Sequence, residues 1–444
     1  MAAQLEHYPY DIGRVDRRWY ALAGGLFVVF AWGVFAYSRD YAEGLIVTGL
    51  RTVGTMGGAT WGLYVGFVVY FVGVSFAGIS TAALIRLLNL RHMRPVSRIA
   101  ELLTIIALLL AALMILADLG QPVRAIQNFL LYARPQSPFF GTFTLVISGY
   151  LFSSLVYFYL DGRRDAALCA QVPGRLRRFH ELWAAGYRDT PAERARHVRA
   201  SFFLSLAILP LLVTAHSTLG FVFGLQVGRP GWFSSLQAPG FVVLAGVSGI
   251  GLLIVIAAVV RATLHEADRL SLQVFRWLAN FLMVLTAAYL YFLVVDWLTA
   301  AYQGNVHDVR VAMAILTGNF AWIYWLSVAS LIAAFVVLGG QFLSNRYSLG
   351  LVVFSGAVVQ VAAVGKRFLL VVPSQTEGTL LPYLPGTYGP TWIEYSVIAG
   401  LLAFGSLLYV LFLKIFPIME VDVPEPEGRS AVQSTPSQSA TADR

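Results

Sequence analysis

Six ionisable side chains lie inside or at the margins of long apolar runs. His216 falls in LPLLVTAHSTLGFVF, Asp296 in YFLVVDWLTAAYQGN, and Asp118 closes ALMILAD, with Arg124 following within two turns. Arg367 and Glu394 flank the last polar interruption. An ionised group at the centre of a membrane helix costs roughly 2.5–3.5 kcal/mol on insertion scales, so such groups are retained for a reason. A histidine and a carboxylate in an apolar setting suit a ring with an oxygen at each end, such as a quinone. One partner binds each oxygen, and a base accepts the protons released with the electrons. An ion or solute pathway could use the same residues, so the chemistry leaves both open. Each residue also has a structural use: Asp118 as the cap of a helix starting near Pro122, His216 and Asp296 as a buried pair or backbone-satisfied packing residues, Arg367 and Glu394 as loop-ordering groups. Arg86 and Glu101, near the opposite surface, could pair or snorkel there.

The elements that must position these groups are membrane helices. The chain has 444 residues, 58% hydrophobic and 12% charged, with mean hydropathy +0.71. This is far too apolar for a soluble protein of that size. Runs long enough to cross the hydrocarbon core occur at 19–37, 61–88, 99–117, 139–160, 200–225, 238–260, 277–301, 315–338, 349–364 and 392–416. Of the 31 Lys and Arg, 23 fall at the two ends of the chain and in the even-numbered connections, nine of them between Arg163 and Arg199. By the positive-inside rule both termini are cytoplasmic, and the 118–138 loop faces outward. The net charge of +8 therefore records topology, and nucleic acid is not an expected partner.

The expected organisation is a cytoplasmic N-terminus (1–18), a first helix and outer loop (19–60), a four-helix bundle (61–225, with the Arg-rich loop 161–199), a second bundle (226–370), an outer loop with the last helix (371–417), and a disordered tail (418–444). No small-residue cleavage site follows the first apolar run, so a removed signal peptide is not expected. Cys169 is the only cysteine, which leaves no internal disulfide and no cysteine-held iron–sulfur cluster. His216 is the only histidine in an apolar span, and one histidine cannot supply bis-histidine ligation of haem. GVSGIG (246–251) lacks the preceding strand and following lysine of a phosphate loop and reads as close helix packing. Trp61, Trp232, Trp322, Trp325 and Trp392 read as an interfacial belt, although a tryptophan can also wall a ring-shaped ligand.

Several motifs occur in a fixed order: WGLYVGFVVYFVGVSFAG, DLGQP, SPFFG, HSTLGFVFGLQVGRPGWFSSLQAPGFV, DWLTAAYQGN, KRFLLVVPS and YGPTWIEYSVIAG. Together, over about residues 45–420, they resemble the NrfD-like family, the membrane subunits of polysulfide reductase and its relatives, including those of alternative complex III and the sulfite-reduction-associated complex. The resemblance implies an all-α polytopic fold of two four-helix bundles with a flanking helix at each end. It implies a subunit of a prokaryotic cytoplasmic-membrane oxidoreductase complex, not catalytic alone, that exchanges electrons between the quinone pool (menaquinone or ubiquinone) and a ferredoxin-like iron–sulfur subunit on its outer face. A molybdopterin enzyme or a multihaem cytochrome would lie beyond. It implies quinone-binding or proton-transfer roles for Asp118, His216, Asp296 and Arg124, and an outer docking surface around Gly120, Pro122, Ser137, Pro138, Arg367 and Glu394. At Phe76 and Val222 this chain departs from the quinol-oxidising branch, which carries His and Asp there. The departure supports an alternative: a structural or proton-conducting membrane subunit with no quinone chemistry of its own.

Overall fold

The computed structural model describes residues 5, 7–50, 59–132, 134, 136–302, 305–377 and 387–421. Its helices are α1 (Arg17–Glu43), α2 (Leu63–Leu87), α3 (Arg94–Asp118), α4 (Pro122–Tyr132), α5 (Thr144–Cys169), α6 (Arg177–Ala184), α7 (Pro191–Gly224), α8 (Gln237–Leu264), α9 (Leu272–Tyr302), α10 (Val306–Leu316), α11 (Ala321–Ser344), α12 (Leu349–Val371), α13 (Pro373–Thr376) and α14 (Trp392–Ile415). Ten helices among the described residues are long and apolar enough to cross a membrane, in agreement with the ten runs in the sequence.

Local chemistry sets several boundaries. The Asp16 carboxylate accepts from the Trp19 amide at 2.8 Å and starts α1. Thr190 and Glu193 form a capping box with Pro191 in the first turn of α7, and Thr391 and Glu394 form another at α14. The eighth span starts six residues later than expected because Thr317–Phe320 breaks the run into α10 and α11. The ninth extends to Val371, beyond the expected Val364.

Helices α2, α3, α5 and α7 pack around one another, as do α8, α9, α11 and α12; α2 joins the two bundles through α8 and α12, and α1 lies against α14 at the flank. The apolar window of α2 is 94% buried and that of α1 only 11%, which makes α2 the shared core and α1 a lipid-facing helix. Small residues permit the joint. A Cβ at Gly249 would run into the Ala77 side chain and lie 2.7 Å from the Val74 carbonyl oxygen, so GVSGIG is a packing motif. Gly249→Leu is expected to force α8 from α2 and cost about 1–3 kcal/mol or more. Thermal unfolding of the solubilised protein should show a lowered midpoint for this variant, and none for Gly240→Leu, where the added side chain meets open space.

The first and last described segments meet on one face, where the Gly13 amide donates to the Lys414 carbonyl at 3.0 Å and the Tyr10 hydroxyl to Glu420 O at 3.0 Å. This termini face also holds α6, whose His180 ring nitrogen is 3.1 Å from Ile415 O. Beneath it Arg98 is 1% exposed. Its guanidinium donates to the carbonyls of Pro417 (3.0 Å) and Met419 (3.2 Å) and to Asp161 (3.1 Å), and forms an ion pair with Asp165 at 2.6 Å. Arg86 pairs with Asp161 as well. Residues 418–421 were expected in the disordered tail, but Ile418 and Met419 are fully buried because Arg98 captures the backbone around them. The rest of that expected tail, 422–444, lies outside the described residues, as does 378–386 of the last loop.

Candidate functional site

Helix α3 runs from the termini face to the opposite face and ends at Asp118. The chain reverses there through Gly120, whose φ of +63° is left-handed and favours glycine, and α4 starts at Pro122. A carboxylate is thus left at the mouth of the first bundle. Asp118 lines a cavity of about 150 Å³ whose other walls are Trp61, Val65, Val68, Val69, Ile115, Leu119, Phe143, Leu219 and Phe223. Asp118 Oδ1 is out of reach of solvent and accepts no hydrogen bond. The helix-cap use of Asp118 is therefore not realised. An apolar cavity of roughly this size binds benzene in an engineered protein, so a six-membered ring fits, and Asp118, with an unsatisfied oxygen, is the polar group among the lining residues that such a ring would meet.

The cavity is closed by aromatic rings. Trp61 stacks on Trp232 at 5.6 Å, and Phe223 meets both edge-on at 5.8 and 5.0 Å. The Trp232 indole N–H donates to Leu370 O at 2.6 Å. Gln375 fixes the approach to α2. Its Oε1 accepts from the Thr60 and Trp61 amides at 2.8 and 3.0 Å, and its Nε2 donates to Trp61 O and Val371 O. With four partners its amide is fully used. In the sequence Gln375 is one more polar residue after a proline, and nothing there marks it as a clamp.

The other expected site residues lie elsewhere. Both ring nitrogens of His216 are 2.8 Å from carbonyl oxygens, of Leu212 in its own helix and Val72 in α2, and Phe76 meets the ring edge-on at 5.0 Å. His216 thus ties α7 to α2 outside the cavity wall. Val222 is buried beside Phe223 without lining the cavity. Arg124 is exposed on α4. Asp296 belongs to the second bundle and lines a different cavity. The sequence expectation of one cluster of His216, Asp118 and Asp296 therefore gives way to three separate locations.

Arg367 and Glu394 do not face a partner, being 4% and 0% exposed. The Arg367 guanidinium sits 4.3 Å over the Phe241 ring. Glu394 accepts from the amides of Gly49 (2.8 Å) and Thr391 (2.9 Å) and from the Tyr388 hydroxyl. Burial, together with the Glu394 charge and hydrogen bond, pushes the Tyr388 phenol well above its ordinary value, so it stays a donor. Gly120, Pro122 and Ser137 remain partly accessible around the Asp118 turn, and Pro138 opens a π-helical turn Pro138–Phe143.

One neighbour adds to this region without having stood out in the sequence. Asp40 is 1% exposed, accepts from the Tyr64 hydroxyl at 3.3 Å, and has an unpartnered Oδ1. Asp40, Asp118 and Glu394 all act electrostatically on Tyr64. The available signal was the buried stripe Gly33, Ala36, Asp40 at helical spacing, past the point where the apolar run fades. Among the described residues no group of three or more His, Cys, Asp or Glu is arranged to hold a metal ion.

Comparison with known proteins accords with this geometry. The family model described as polysulphide reductase, NrfD, matches residues 52–377, from before α2 to just after α13. Over 429 residues the chain is 28% identical to a Halobacterium salinarum protein described as a membrane subunit of dimethyl sulfoxide reductase, covering 92% of this chain and 93% of that one. It is 26% identical to the Hdr-like menaquinol oxidoreductase integral membrane subunit of Archaeoglobus fulgidus, covering 90% and 94% of the two chains. It is 22% identical to a selenate reductase subunit of Mesobacillus selenatarsenatis, covering 87% and 91%. With most of its length matched, and ten membrane-length helices among the described residues, this chain belongs to the polysulphide reductase, NrfD, family.

Proposed function

We propose that this chain is the quinone-interacting membrane subunit of a multi-subunit oxidoreductase, exchanging electrons between the membrane quinone pool and an iron–sulfur subunit docked at the Asp118 face. The observation that carries the reading is the ring-sized apolar cavity of the first bundle with the unpartnered Asp118 oxygen in its wall. The names of the relatives support it, one being a menaquinol oxidoreductase subunit and the others reductase subunits. A bound quinone, menaquinone or ubiquinone, supplies two-electron, two-proton chemistry. The chain's own residues do the rest. Trp61 and Phe223 wall the ring, the valines of α2 exclude water, and Asp118 holds a proton at Oδ1. Arg124 and the exposed parts of the 120–138 segment form the docking face for a ferredoxin-like subunit, which connects to a molybdopterin enzyme or multihaem cytochrome. The arginines between Arg163 and Arg199 lie toward the termini face, which supports a prokaryotic cytoplasmic membrane with both termini inside.

Leu219→Trp fills the cavity from α7 without touching a charge. Quinone recovered with the purified complex should fall at least about tenfold, the effect of losing 1.4 kcal/mol of binding. Val227→Trp, at a position 74% exposed beyond the same helix, should leave it unchanged. Equal quinone in both variants and the parent would refute this placement. The second reading, a proton-conducting or structural subunit, draws on Glu101, fully buried in α3 with Oε2 unpartnered. It predicts an assembled complex with no quinone in this chain.

A further inference from the structure

The second bundle repeats the plan of the first. There a carboxylate near the end of a helix, Asp296 in α9, is followed by a short helix, α10, as Asp118 in α3 is followed by α4. Asp296 lines its own cavity, of about 140 Å³, with Lys366 of α12, Tyr324 of α11, Trp297 and Phe233 among the other walls. This cavity differs from the first in containing charges of both signs: Lys366 and two carboxylates, Asp296 and Asp308, of which Asp308 already accepts from the Gly231 amide at 2.7 Å. Asp296 and Lys366 lie close enough to feel each other's field, yet no ion pair joins them, and neither forms a hydrogen bond with another described residue. The ammonium lies over the Tyr324 ring, 5.2 Å from centroid to Nζ.

We propose that this cavity is a lipid-headgroup site, in which Lys366 binds the phosphate and Asp296 the ammonium of a zwitterionic phospholipid. Asp296, exposed on α9, and Lys366, half-buried on α12, are opposite charges held apart on apolar helices, and each gains from a partner. A zwitterion supplies both at once. A neutral quinone ring would leave two unneutralised charges, and an anionic lipid would place its net charge against Asp296.

Depth and access agree with this occupant. Asp296 lies six residues before the end of α9 and Lys366 five before the end of α12. At 1.5 Å per residue both are about 8–9 Å below the helix ends. With the helix ends at the outer limit of the polar zone, which is about 5–8 Å deep on each side of a bilayer, the two charges sit at its lower edge. Trp297 and Phe233 are each 49% exposed, so the cavity opens on the lateral surface, where a lipid's acyl chains would stay in the membrane. Trp297 also offers an aromatic face to an ammonium.

The test uses the native assembly, washed free of loose lipid and placed in nanodiscs of equal parts dioleoyl phosphatidylethanolamine and dioleoyl phosphatidylglycerol. After re-extraction, lipid retained per chain is measured by mass spectrometry. The parent should retain at least one phosphatidylethanolamine, enriched about tenfold over phosphatidylglycerol, as expected for one charge-assisted contact of about 1.4 kcal/mol. Asp296→Asn and Lys366→Met should each reduce that retention about tenfold, whereas Lys366→Arg should keep it. Asp118→Asn should leave it untouched, which separates this site from the first cavity. Equal retention of the two lipids overturns the proposal, as does a quinone lost with Lys366→Met. Retention that no variant changes overturns it as well. Should Lys366→Met fail to assemble, Asp296→Asn against Lys366→Arg decides the same question.

Discussion

Asp118→Asn is expected to lower quinone-linked electron transfer by about 10²-fold or more while leaving the complex assembled, which is the range associated with a positioned acid–base group. The substitution keeps the size of the side chain and removes its ability to take a proton. Among the described residues lining the first cavity Asp118 is the only ionisable one, so no described neighbour in that wall can replace it. Its Oδ1 is also free of any hydrogen bond that the amide would break. The fold therefore has no cause to respond. Electron transfer should be measured from a soluble quinol analogue to the partner's acceptor, alongside the polypeptide composition of the purified complex. Turnover at the parent level with an intact complex would remove Asp118 from the reaction.

Arg98→Met is expected to have the largest effect on the fold, leaving little assembled protein. Removing one partner of a buried ion pair typically costs about 3–5 kcal/mol, because the other charge stays buried. Here the guanidinium holds Asp165, Asp161 and two carbonyls of the segment after α14 in one place. Arg86 can still neutralise Asp161, but among the described residues no second cation forms an ion pair with Asp165. Arg98→Met combined with Asp165→Leu should therefore recover part of the yield, since the stranded charge is gone. Detergent-extracted protein, followed by size exclusion, reads both variants. Parent-level yield of Arg98→Met would show that the network carries no stability.

The fold was legible because twenty-residue apolar runs need no tertiary information. So was the Asp118 turn, where glycine and proline stand between a greasy run and an amphipathic helix. GVSGIG was legible as packing for the same reason, since glycines in an apolar helix have few other uses. The arrangement of the site was not. Hydropathy says that His216, Asp118 and Asp296 belong to the same half of the membrane, but it does not say which helix faces which bundle. The structure puts Asp118 and Asp296 in different halves of the fold and sets both nitrogens of His216 against carbonyl oxygens. Lys366 falls outside the ninth apolar run, which fades at Val364, whereas α12 continues to Val371 and carries Lys366 to a cavity wall. Asp40 escapes for the same reason at the end of α1. In each case a helix outlasts its apolar run and carries a charged residue beyond it.

The central claim is that the first cavity takes the quinone ring, and photolabelling of the native complex with an azidoquinone tests it most directly. After illumination and digestion, the label is predicted on peptides containing Trp61 to Val69, Ile115 to Leu119, or Leu219 to Phe223, and excess natural quinone should suppress it. Label confined to peptides of the second bundle, or labelling that natural quinone does not suppress, would contradict the account.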